Sequence, residues 1–145
     1  MDPVPATDIL NELLVGEYRA LLPRLIEARA FITADRTADF ENVRRMAADR
    51  DRCMARLVET IIALGGEPGP RSSDMTSACF HYNELPVLLP RVIADEEALC
   101  RKYVRAVHAL SDCEQAAEVV ADIAGRHRVH LELLRKLAAD AVPAG

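Results

Sequence analysis

Apolar residues recur every three to four positions along four long stretches of the chain, the spacing that sets one stripe of an α-helix toward a core. The first stretch runs over about residues 8–32, with Leu10, Leu13, Leu14, Leu21, Leu25 and Ala28 on one face. Thr7 or Asp8 can cap it, and Pro23 predicts a kink, because proline removes a backbone hydrogen bond. The second covers about residues 38–64, with Phe40, Val43, Ala47, Met54, Leu57, Val58 and Ile61 inward and Gly65-Gly66 as its stop. The third covers about residues 83–110, with Leu85, Leu89, Val92, Leu99, Tyr103 and Val107 inward. Pro86 fits its first turn, whereas Pro90 predicts a late start or a kink. The fourth covers about residues 113–139, with Ala116, Val120, Ile123, Leu131, Leu134 and Leu137 inward. Residues 65–82 show no period and are longer than a tight helix–helix turn requires. The pattern predicts an all-α four-helix bundle over residues 1–145, two helical hairpins joined by a long crossover.

Each stripe is broken at one place by a residue that the period assigns to the core. In the fourth stretch His127 and His130 stand, one turn apart, where Leu or Val belongs. Glu17 lies between Leu10, Leu14 and Leu21; Arg50 lies among Val43, Ala47, Met54 and Ile61; Glu96 lies between Val92, Leu99 and Tyr103. Cys53 follows Arg50 by three positions, at the edge of the second stripe. The order is therefore Glu17 then Arg50-x-x-Cys53 in one half, and Glu96 then His127-x-x-His130 in the other. Each residue lies roughly 15 to 18 positions from its own hairpin turn, or ~22 to 27 Å along the axis at 1.5 Å per residue. They are expected to meet near mid-bundle. Buried polar groups must be partnered or must bind something.

One Glu followed by a two-residue motif at i, i+3, repeated in two hairpins, resembles the ferritin-like di-iron carboxylate proteins. The run L-N-E-L-L-V-G-E ending at Glu17 and the L-G-G-E-P closing the second stretch are similar to bacterioferritin-like sequences. The resemblance covers roughly residues 8–139 and implies a ferritin-like bundle. It also implies that Glu17 and Glu96 match the two single-Glu ligands and His130 the histidine of the second Glu-x-x-His. His127 then stands where that motif has its glutamate. Arg50 replaces the other glutamate, and Cys53 the other histidine.

Two chemistries are open to this set. A guanidinium has five donors, no acceptor and a permanent charge, so it cannot ligate a metal. In one reading Arg50 pairs with Glu17, Glu96 bonds His127 or His130, and the layer is metal-free. In the other, Glu96, His127 and His130 hold one divalent ion, zinc or iron(II), with Glu17 or Cys53 completing the set. Ferroxidase activity is not expected, because both glutamates of the Glu-x-x-His motifs are replaced. The expected function is a non-catalytic binding, stress-related or structural bundle, with a mononuclear metal protein as the alternative.

Composition narrows the partners. Half of the 145 residues are hydrophobic but only 4% are aromatic, there is no Trp, and the net charge is -5 with signs interspersed. No basic block exists to make a nucleic-acid footprint. No apolar run reaches the length of a membrane span, and the start lacks the features of an export signal. The expectation is a cytoplasmic protein with reduced cysteines, without membrane or nucleic-acid partners, and a homodimer packed through helix faces. Asp95 and Glu97 read as solvated, Tyr103 as core packing with a wet hydroxyl, and His81-Tyr82 as loop residues at the mouth of the third helix.

Overall fold

The four amphipathic stretches form helices α1 (Ala6–Tyr18), α2 (Thr37–Ala63), α3 (Leu85–Ala109) and α4 (Glu114–Ala141). The structure is a computed structural model and describes residues 4–22, 37–70 and 85–141. Among these there is no strand, and no helix is long and apolar enough to cross a membrane.

The helix ends follow local chemistry. Gly65, at φ +84°, terminates α2 with its N–H on the Ile62 carbonyl, while the Gly66 N–H returns to the Ile61 carbonyl. This double bond pattern satisfies carbonyls that the helix would otherwise leave open, and it needs a residue without Cβ at the left-handed position. Just beyond, Asn11 of α1 donates to the Glu67 carbonyl (3.0 Å) and accepts from the Gly69 N–H (2.8 Å), pinning the start of the crossover to α1. The rest of the crossover, with His81 and Tyr82, lies outside the described residues.

Two helix boundaries differ from the sequence expectation. α1 starts at Ala6 behind Pro5, with no side-chain cap from Thr7 or Asp8; Asp8 instead places its charge in the first turn, where the helix dipole favours it. α1 also stops at Tyr18. The Ala20 N–H turns back to the Glu17 carbonyl (3.2 Å), and Asp95 Oδ2 on α3 accepts the Leu21 N–H (2.9 Å). Pro23 disfavours helical backbone at Leu22 and lacks the N–H needed to continue. The stripe positions Leu25 and Ala28 fall outside the described residues. α3, by contrast, needs no late start: it runs through Pro90 from Leu85.

Cross-contacts fix the helix directions. Thr7 lies against Gly66 and Ile61 while Glu17 meets Arg50, so α1 and α2 are antiparallel. Gly16 faces Leu99 and Leu21 faces Asp95, so α1 and α3 are antiparallel as well. Asp49 and Arg56 of α2 pair with Arg126 and Asp122 of α4 in the same reversed order. α2 and α3 are therefore parallel. The end of one and the start of the other lie at opposite ends of the bundle, which is why the connection between them must be long.

The core packs in two clusters. Leu10, Leu14, Leu57, Ile61, Tyr103 and Val120 belong to one, and Val43, Met46, Leu88, Val92 and Leu134 to the other. Each fully buried Leu or Ile contributes roughly 1.5–3 kcal/mol. Along α2, α3 and α4, one polar position or pair separates the clusters: Arg50, Glu96, and His127 with His130.

Candidate functional site

Glu17, Arg50, Glu96, His127 and His130 are all buried, and they face one another at the level between the two clusters. The helical period that places leucines inward also places these groups inward, so each must find its partner in this layer.

Arg50 grips Glu17 with a fork. Its Nε and Nη2 donate to Glu17 Oε2 at 3.1 and 2.8 Å, and Nη2 also reaches the Glu17 carbonyl at 3.3 Å. Glu17 Oε1 accepts the Tyr103 hydroxyl at 2.8 Å and His127 Nε2 at 2.5 Å. The other ring nitrogen of His127, Nδ1, bonds Glu96 Oε1. His127 thus bridges two carboxylates, and Tyr103 lies against its ring at 5.0 Å between centroids. His130 turns the other way: its Nε2 bonds Asp49 Oδ2 at 2.9 Å, and Asp49 is held in turn by Arg126 at 2.8 Å.

The electrostatics follow from these contacts. Burial alone would raise the Glu17 carboxyl, but the Arg50 charge and the His127 contacts outweigh it and bring it down to about 2. Burial would likewise discharge His127, yet its hydrogen bonds to Glu17 and Glu96, with their charges, hold it up at about 9. At neutral pH His127 is therefore an imidazolium, donating from both nitrogens. Two carboxylates, one guanidinium and one imidazolium make the layer neutral. His130 is pushed the opposite way, first by burial and then by the charge on His127, and is neutral. Its Nε2–H donates to Asp49, which leaves Nδ1 as a lone pair.

Glu17 has no acceptor position to spare in this geometry. A carboxylate has about four acceptor positions. Those of Glu17 are taken by the Tyr103 hydroxyl, His127 Nε2 and two nitrogens of Arg50. Neither nitrogen of His127 offers a lone pair while both donate. Glu96, His127 and His130 do form a group whose potential ligand atoms lie within 4.8 Å of one another. Within that group, Glu96 Oε2 and His130 Nδ1 have no hydrogen-bond partner; among the described residues Arg50 Nη1 is a further buried side-chain atom without one. Cys53 is buried but outside that group. Burial, followed by the charges of Asp49 and Glu17, pushes its thiol up to about 12.

Two residues differ from their sequence reading. The Tyr103 hydroxyl is not wet: the residue is fully buried and donates to Glu17. Asp95 is not simply solvated but part-buried beneath Leu21, and burial raises its carboxyl. Glu97 lies at the surface as read, and pairs there with Arg135 at 3.2 Å across α3 and α4. Asp49 had not been singled out at all. Its signal was available, since Met46, Asp49 and Cys53 follow the spacing of the buried stripe.

The architecture is the ferritin-like four-helix bundle. The chain is similar to a solved structure of the bacterioferritin of Desulfovibrio desulfuricans, described for the catalytic states of its di-iron site. The TM-score is 0.80 and the identity 18%, over 92% of this chain and 78% of that one. By sequence, neither a protein family nor a curated protein matches the chain.

Proposed function

We propose that this protein is a ferritin-like bundle that does no ferroxidase chemistry, its central layer being a neutral ion network and its role one of binding or scaffolding. The observation that carries the reading is the occupancy of Glu17: Arg50, His127 and Tyr103 together use its acceptor positions. Two of these donors are cations, so the layer already carries the countercharge that metal ions would supply. A homodimer through helix faces belongs to the same reading, supported by Val129 and Leu133, which are exposed one turn apart on α4.

Aerobic iron(II) titration of the tag-free protein tests it, with oxygen uptake and elemental analysis as readouts. The expected result is neither catalysed oxygen consumption nor two irons per chain. Arg50→Glu, which restores a carboxylate at the replaced position, is the positive control and is expected to take up iron. Two irons per wild-type chain, with oxygen consumed, would overturn the reading.

A second reading has its own observation. Glu96 Oε2 and His130 Nδ1 lack partners, and Asp49 holds His130 in the tautomer that exposes Nδ1. Carboxylate-backed histidines of this kind suit a metal ligand, so one zinc or iron(II) ion would bind there, with His127 as third ligand only after losing its proton. One equivalent of zinc per chain, abolished by His130→Ala, would favour this reading.

A further inference from the structure

Away from the layer, α1 and α3 leave an open groove on the surface of the bundle. Its wider part is a cavity of about 350 Å³. Leu13 and Ala106, both buried, form its floor, and Ile9 and Ala109 line it as well. Val4 stands at its mouth with 64% of its surface exposed, the highest value among the large apolar residues described as exposed. A volume of this size lies within the range of small-molecule sites, which are mostly apolar with a few placed polar groups.

The polar groups here are Lys102 and Arg105, one turn apart on α3, with Glu12 from α1. Three arginines elsewhere on the described surface are paired across helices: Arg56 with Asp122, Arg126 with Asp49, Arg135 with Glu97. Lys102 and Arg105 make no ion pair with any described residue, Glu12 included, although all three line the same cavity. Lys102 and Arg105 beside an apolar floor suit a ligand with one negative charge and an apolar tail. Glu12 offsets one of the two cations, so the lining keeps a single positive charge in excess, matched to a monoanion.

We propose that the α1–α3 groove binds small apolar monocarboxylates, the carboxylate between Lys102 and Arg105 and the tail over Leu13 and Ala106. The guanidinium and ammonium supply charge-assisted bonds to the carboxylate, and the tail covers Ile9 and Val4. The site is independent of the central ion network, so it stands whether or not that layer takes up a metal.

The test is an amide NMR titration of the full chain with octanoate, kept below its micelle concentration, against octylamine and octanol. Saturable shifts are expected near Val4–Leu13 and Lys102–Ala109, with octylamine and octanol weaker by at least about tenfold. The pair Lys102→Glu and Arg105→Glu, at exposed positions, should weaken octanoate by at least about the same factor. Ala109→Phe should block the cavity without touching either cation. Circular dichroism checks that each variant is folded. Absence of saturable shifts, equal affinity for octylamine, or octanoate binding unchanged in both variants would each overturn the proposal.

Discussion

Arg50→Met removes the guanidinium, keeps most of the side-chain volume and leaves Glu17 charged in a dry layer. Arg50 is fully buried and donates two hydrogen bonds to Glu17 Oε2 and a third to its carbonyl. Hydrogen bonds to charged groups contribute roughly 1.5–3 kcal/mol each. Three that run from one guanidinium to one residue overlap rather than add, so the loss should match the ~3–5 kcal/mol typical of breaking a buried pair. Against a total stability of about 5–15 kcal/mol this is a large fraction. Urea unfolding followed by far-ultraviolet circular dichroism at pH 6 reads it as a lower midpoint at unchanged slope. Glu17→Gln should cost a similar amount, and the double variant much less than the sum, with a coupling of at least about 2 kcal/mol. Arg50→Lys, able to keep the charge but not the fork, should fall between. A cost below about 1 kcal/mol for Arg50→Met, or two single costs that simply add, would refute the paired layer.

The remaining predictions concern the same contacts. His127 is raised from 6.5 to about 9, so its stabilising contribution is full below about 6.5 and is lost as the pH rises through about 9. Glu17 is lowered from 4.5 to about 2, so its contribution is present above about 4.5 and lost as the pH falls through about 2. Thermal stability should therefore decline on the alkaline side from about pH 6.5, and His127→Gln should flatten that limb; a limb unchanged by the substitution would contradict the assignment. Tyr103→Phe keeps the ring but removes one donor to Glu17, at an expected cost of about 1.5–3 kcal/mol by denaturant titration; equal stability would count against the bond. In Gly66→Ala the new Cβ would lie 2.7 Å from Thr7 Cγ2, whereas in Gly69→Ala it meets Asn11 Oδ1 at an ordinary 3.5 Å. The first should cost about 1–3 kcal/mol and the second under about 0.5 kcal/mol; similar melting temperatures for the two would contradict the close packing of α1 on the end of α2.

The four helices and the polar layer were legible because one period generates both. The stripes that put Leu57 and Val120 inward also put Glu17, Arg50, Glu96, His127 and His130 there, and two residue spacings brought them to one level. What the period could not reveal was the pairing. Whether His127 or His130 meets Glu96 depends on how α4 is rotated against α3, a rotation of tens of degrees that a stripe three residues wide does not resolve. Asp49 was missed for a related reason: a charged residue at a stripe edge reads as solvated until the neighbouring helix supplies His130 and Arg126. The end of α1 was misplaced because the apolar period continues past Tyr18, while Asp95, 74 positions away, takes the Leu21 N–H. Long-range capping of that kind leaves no local signature.

The protonation state of His127 tests the neutral layer most directly. Nitrogen-15 NMR of histidine-labelled protein at pH 7, with His127 assigned by substitution, reports whether one or both ring nitrogens carry a proton. An imidazolium with two protonated nitrogens, titrating near pH 9, is the predicted result. A neutral His127 at pH 7, with one nitrogen bare, would contradict it: the carboxylates would lack their second countercharge, and that nitrogen would be free to ligate a metal.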